Sequence, residues 1–202
     1  MLTVHHLNQS RSKRVLWLLE ELTMPYERID HQRDATTHLA PESLKKVHPL
    51  GKAPVVVDGD ITLCESSAVM EYIINLDEQQ RLRPTLGSAE YYQYLEWSHF
   101  AEGSLGLPVV TNLLMKMETR AGQQPMDGYI AKEIATDFAY IETTLSQRAY
   151  FAGNHFTAAD IMMTVILEIA ASGGLLEGKN STLAYLAKMQ QRPAYQKAAS
   201  FG

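Results

Sequence analysis

The chain has 202 residues, 46% of them hydrophobic and 20% charged, with a formal net charge of -5 and a pI near 5.8. That length and apolar content suffice for one substantial core or two modest ones, and the acidic balance argues against a partner recognised through nucleic-acid phosphates. The single Cys64 excludes an intrachain disulfide and any paired-cysteine redox or zinc motif.

The N-terminal stretch "MLTVHHLNQSRSKR" reaches its basic residues after its apolar ones, the reverse of a secretory signal. "LTVHHL" predicts a strand, "SKRVLWLLEEL" a helix with Val15, Leu18, Leu19 and Leu22 on one stripe, and "YERID" a second strand. A short helix is expected around "PESLKKV". The β-branched run Val55 to Val57, the Asp58-Gly59-Asp60 turn signal and Ile61 to Leu63 then read as a hairpin. Val69, Tyr72, Ile73 and Leu76 stand at i, i+3, i+4 and i+7, so a helix starting between Glu65 and Ser67 should lay that face on the sheet. The resulting order, βαβ-α-ββα over residues 1–79, makes the first two strands parallel and adds an antiparallel hairpin.

Residues 80–87, with Pro84 and Gly87, break the periodicity and read as a linker. From 88 to 202 everything reads as helix. A long helix is bent near Gly106-Leu107-Pro108, a second amphipathic one covers 127–148, and at least two more follow. One of these opens with a capping box, Thr157 at the N-cap and Asp160 at N3, with Phe156 placed to staple onto Ile161. The longest apolar stretch, "IMMTVILEIAASGGLL", carries Glu168 and two glycines and is too short and interrupted to span a bilayer. The expectation is a cytoplasmic protein with neither membrane nor nucleic acid as partner.

Four segments, "RSKRVLWLLEEL", "HPLGKAPVVVDGD", "LCESSAVMEYI" and "FAGNHFTAADIMM", occur in the order and on the elements that make the chain resemble the cytosolic glutathione transferase family over its whole length. The resemblance implies an α/β thioredoxin-like N-terminal domain that binds glutathione, an all-α C-terminal domain forming the electrophile pocket, and a homodimer. It also implies that Pro54 follows a cis bond and that Ala53 offers its backbone N–H and C=O to the cysteinyl part of glutathione. Glu65 and Ser66 match the acid and hydroxyl that hold the γ-glutamyl group, and helix N-termini do favour anions. Lys52 and His38 match positions that hold the glycyl carboxylate in some classes. Glutathione enters as co-substrate, and no metal is implied.

Each residue also has a plainer reading. Ser66 and Ser67 are residue types that cap helices, Lys52 and His38 are residue types that sit solvated on surfaces, and Cys64 fits a buried hydrophobe on an inward-facing strand.

The family lowers the pKa of the glutathione thiol with a donor from the loop after the first strand. A free thiol near pKa 8.5 is only a few per cent ionised at neutral pH, and bringing it to about 6.5 takes roughly 2.7 kcal/mol of preferential anion stabilisation. Here that loop is "HHLNQSRSKR", with neither Tyr nor Cys, so the resemblance points to a non-tyrosine, bacterial-type member with a serine or asparagine loop. Ser10 is the first candidate, with Asn8, Ser12 and His6 as alternatives. Its spacing to Arg14-Val15 is one residue shorter than in the serine classes. Arg11, Lys13 and Arg14 crowd positive charge at a helix start, which a bound anion would offset; otherwise these side chains extend into solvent. The expected activity is thiol activation for attack on a small hydrophobic electrophile. A glutathione-dependent disulfide or peroxide reductase and a non-catalytic interaction protein of the same fold are the rivals.

Overall fold

The computed structural model describes residues 1–202. The chain forms two compact units, Met1–Leu82 with Gln191–Gly202, and Arg83–Gln190.

The first unit runs β1 (Thr3–Leu7), α1 (Ser12–Leu22), β2 (Glu27–His31), α2 (Glu42–Val47), β3 (Val55–Asp58), β4 (Ile61–Cys64) and α3 (Ser66–Leu76). The strand order is β2-β1-β3-β4, with β1 parallel to β2 and antiparallel to β3. This is the thioredoxin-like arrangement. Its hairpin closes through the Asp58–Ile61 pair, and Gly59 supplies the positive φ of +57° that the two-residue turn requires. The β-branched Val4, Val55 and Val56 are completely buried in the sheet.

Two helical faces differ from the sequence expectation. On α3 the buried residues are Val69, Met70, Ile73 and Ile74, while Leu76 is exposed and the half-buried Tyr72 donates its hydroxyl to Asp58 at 3.0 Å. The buried stripe is rotated by about one residue, with the Tyr72 hydroxyl finding its acceptor at the hairpin end of β3. On α1, Leu16 and Trp17 are buried along with the expected Val15, Leu18, Leu19 and Leu22. The cause is α9 (Pro193–Ala199), which packs along α1. Tyr195 meets Trp17 edge-on at 5.1 Å between ring centroids, Arg192 grips the Glu21 carboxylate with two bonds of 2.6 and 2.8 Å, and Lys197 pairs with Glu20 at 2.8 Å. Residues 191–202 therefore fold with the first unit, which corrects the assignment of 88–202 to one helical domain. Cys64 is half-buried, not the fully buried hydrophobe expected.

The second unit contains α4 (Ala89–Phe100), a π-helical turn (Ala101–Gly106), α5 (Leu107–Met115), α6 (Pro125–Gln147), α7 (Ala158–Ser172) and α8 (Asn180–Gln190). The irregularity expected at 106–108 is this π turn. Pro108 has no N–H to continue the α-helical ladder, so the register changes ahead of it. At Gly106 an added Cβ would stand 2.9 Å from the Ala101 carbonyl oxygen.

α7 is apolar nearly all round and buried along most of its length. Its capping box is present and reaches further than a cap. The fully buried Asp160 carboxylate accepts the Thr157 N–H and hydroxyl at 2.8 and 3.0 Å, the Phe151 N–H at 3.0 Å and the Tyr185 hydroxyl at 2.7 Å. No helix is long and apolar enough to cross a membrane.

Candidate functional site

Residues 5–14 carry the chain from the end of β1 into α1, and their side chains determine how that turn is held. Ser12 is the hub. Its buried Oγ receives the Leu7 N–H at 3.2 Å and lies 3.3 Å from the Leu7 carbonyl, 2.8 Å from His6 Nδ1 and 2.7 Å from Ser10 Oγ. Ser10 in turn accepts the Ser12 N–H at 3.2 Å, which satisfies an amide that helix α1 would otherwise leave open. His6 is 1% exposed and Ser12 is 0% exposed, whereas Ser10 is half-buried. Of this group only Ser10 is not fully enclosed. Burial pushes the His6 imidazole below its ordinary pKa, against the opposing pull of Asp30 and of the Phe201 and Gly202 carbonyls.

Asn8 is committed elsewhere. Its Oδ1 accepts the Arg33 N–H at 2.8 Å, and the Arg33 guanidinium donates back to the Asn8 carbonyl at 3.2 Å and to the His38 carbonyl at 3.0 Å. Arg33 is thus a loop-holding residue that the sequence did not single out; a cation two residues after a strand carries no distinguishing pattern. It pulls the His38 segment, where His38 has φ +57°, toward the β1–α1 turn. Both His38 and Lys52 are exposed.

The Ala53–Pro54 peptide bond is cis. Ala53 is half-buried and supplies no backbone hydrogen bond to the fold. Pro54 is buried at the start of β3.

Glu65 occupies the N-cap position of α3 with φ +73° and ψ 120°, a conformation costly for a residue with a side chain. It makes no side-chain cap bond, and Ser66 is the first helical residue, not the cap. The α3 amide dipoles therefore emerge beside an exposed acid and a buried hydroxyl. Arg14 leads into the same place. It is fully buried, and its Nη1 donates to Ser66 Oγ at 3.4 Å, which joins the first turns of α1 and α3. Lys13 covers the Tyr195 ring at 5.1 Å. The basic cluster at the start of α1 is thus built into the unit at Lys13 and Arg14, not extended into solvent.

The structure brings His6, Ser10 and Ser12 into one hydrogen-bonded chain, links Arg14 to Ser66, and keeps Asn8 apart with Arg33. Chemically, an uncapped helix start with an acid beside it suits a ligand end that carries both a carboxylate and an ammonium. No group of three or more His, Cys, Asp or Glu side chains is arranged to hold a metal ion.

The family model for the glutathione S-transferase N-terminal domain matches residues 1–75, and that for the glutathione S-transferase C-terminal domain matches residues 107–190. Glutathione S-transferase 3 of Schizosaccharomyces pombe is 35% identical over 175 residues, covering 81% of this chain and 72% of the relative. A glutathione S-transferase crystal structure from Actinobacillus pleuropneumoniae superposes with a TM-score of 0.90 at 29% identity, covering 99% of this chain and 92% of the other. A sphingomonad glutathione S-transferase complexed with glutathione superposes at 0.79 with 26% identity, covering 97% and 96%.

Proposed function

Because the chain belongs to the glutathione S-transferase family, we propose that it binds glutathione at the start of α3 and activates the thiol with the Ser10 hydroxyl for attack on a small hydrophobic electrophile. The observation that carries this reading is the α3 start itself. Glu65 is held at a costly positive φ directly ahead of amides that no side chain caps, and such strain persists where a ligand makes use of it. Glu65 then pairs with the γ-glutamyl ammonium, while the α3 amides and Ser66 take the carboxylate. Ala53 supplies its unused backbone groups to the cysteinyl residue, next to the cis bond before Pro54. His38 and Lys52 provide donors for the glycyl end.

Ser10 is favoured over its competitors by exposure. Ser12 and His6 are enclosed, and the Asn8 amide oxygen is already occupied by Arg33. A cytoplasmic setting, where glutathione is kept as the thiol, fits the unpaired Cys64, and a homodimer is the expected assembly.

Calorimetry tests the binding reading. Glu65→Ala should weaken glutathione by about 2 kcal/mol, roughly 30-fold, through loss of a charge-assisted partner. An unchanged affinity overturns this site. Turnover of an aryl halide against a mixed disulfide separates the transferase from the reductase, and faster disulfide turnover would favour the latter.

A further inference from the structure

We infer that His6 is the store for the proton that the glutathione thiol gives up, reached through Ser12 and Ser10, and that it thereby sets which way the Ser10 hydroxyl points. The inference deepens the proposed role of Ser10 and rests on it.

The argument is a count of hydrogens. Ser12 Oγ has one hydrogen and two lone pairs. One lone pair is filled by the Leu7 N–H at 3.2 Å. The other lone pair and the hydrogen fall to the two nearest partners, Ser10 Oγ at 2.7 Å and His6 Nδ1 at 2.8 Å, with the Leu7 carbonyl at 3.3 Å as the longer competitor. Only two continuous chains satisfy these contacts. In the inward chain Ser10 donates to Ser12 and Ser12 donates to an unprotonated His6 Nδ1. In the outward chain His6 Nδ1–H donates to Ser12 and Ser12 donates to Ser10.

The outward chain has a specific consequence at the surface. Ser10 Oγ already accepts the Ser12 N–H at 3.2 Å, so a second donation from the Ser12 hydroxyl fills both of its lone pairs. Its own hydrogen is then directed away from the chain. In the inward chain the opposite holds, and Ser10 presents a lone pair.

Burial disfavours the imidazolium, against the opposing pull of the Phe201 and Gly202 backbone, so the free ring rests neutral. Its Nε2 is buried and makes no hydrogen bond; a neutral ring that carries its proton there leaves Nδ1 as an acceptor, and the chain then runs inward. The charged groups near the ring are Asp30, its register partner on β2, which favours the imidazolium, and Arg28 on the same strand, which disfavours it.

Ionisation of bound thiol then runs along the chain. The S–H bond breaks as its proton passes to Ser10 Oγ; the Ser10 hydroxyl proton passes to Ser12 Oγ, and the Ser12 hydroxyl proton to His6 Nδ1. Three bonds to hydrogen break and three form, no electrons are transferred, and thiol plus imidazole becomes thiolate plus imidazolium. The chain now faces outward, with the Ser10 hydrogen donated to the sulfur. His6 touches no substrate atom and is a positioning residue acting through Ser12 and Ser10.

The test is histidine nitrogen NMR on the full chain with and without saturating glutathione at neutral pH, with thiolate ultraviolet absorbance read on the same sample. The expected result is a neutral, Nε2-protonated His6 in the free protein and, because the thiolate at the other end of the chain offsets the burial that holds the His6 pKa down, an imidazolium in the complex in the same fraction as the thiolate. His6→Asn keeps a group that can hydrogen-bond Ser12 but cannot hold the proton, and should raise the bound thiol's pKa by about 1 unit while glutathione affinity stays within about threefold. Should that variant fail to fold, the wild-type spectra decide. A His6 that stays neutral while thiolate forms overturns the relay. Ser10→Ala separates the two readings: an unshifted thiol pKa in that variant overturns Ser10 itself, whereas a raised thiol pKa with a neutral wild-type His6 overturns the relay alone.

Discussion

The Asn8 side chain accepts the backbone N–H of Arg33 at 2.8 Å, so the asparagine of the β1–α1 turn holds the β2–α2 connection in place. Its role and that of Ser10 can therefore be separated. Asn8→Ala should lower stability by about 1 kcal/mol, the usual net value of one hydrogen bond, and leave the pKa of bound glutathione unchanged. Ser10→Ala should leave stability nearly unchanged and raise that pKa by about one to two units. Denaturant midpoints and thiolate titrations of the binary complexes measure both. A raised thiol pKa in Asn8→Ala with none in Ser10→Ala would transfer the role to the asparagine and favour the reductase.

Glu65 sets stability against function. At φ +73° and ψ 120° a glycine has no side-chain penalty. Glu65→Gly should raise stability by about 1 kcal/mol, the relieved strain outweighing the added freedom of the unfolded chain, while weakening glutathione as much as Glu65→Ala does. A denaturation midpoint that does not rise would show that the backbone at this position carries no strain.

Acid should destabilise the first unit through its histidines. His5 Nδ1 lies 3.0 Å from His31 Nε2, and His31 Nδ1 lies 2.8 Å from Ser43 Oγ. Burial lowers the pKa of His5, which its neighbour His31 lowers further, and burial also lowers His31 and His6. Glu27 opposes the shift at His5, and Asp30 opposes it at His31 and His6. A folded-state pKa below the unfolded value of about 6.5 means that the unfolded chain binds protons first as pH falls. Stability should therefore be full above the unfolded value and drop as pH decreases through it toward the folded-state values. His5→Gln should flatten that slope in urea midpoints taken across the window. An equally steep slope in the variant would assign the acid sensitivity to other groups.

Sedimentation should give a particle of twice the 22.7 kDa chain mass at micromolar concentration, in keeping with a two-fold symmetric homodimer. A species of the chain mass under those conditions would contradict the expected assembly.

Local chemistry made much of this protein readable from its sequence. Alternating and β-branched runs specify β1, β3 and β4, Asp-Gly specifies the hairpin turn, and the Thr157 and Asp160 pair specifies the start of α7, because each signal acts over a few residues. The four motif segments carried the family resemblance for the same reason. What only the tertiary structure decided involves partners far apart in the chain. Trp17 and Leu16 widen the buried surface of α1 beyond one stripe because α9, whose Tyr195 meets Trp17 more than 170 residues later in the chain, covers a second face of that helix. Arg33 holds Asn8 across 25 residues and Arg14 reaches Ser66 across 52. In the loop "HHLNQSRSKR" the sequence put Ser10 first but left Asn8, Ser12 and His6 as alternatives. Folding distinguishes them by placing His6 and Ser12 inside, tying the Asn8 amide oxygen to Arg33, and leaving Ser10 half-buried. Burial and hydrogen-bond partnership are properties of the assembled unit, and they set the order of that chain.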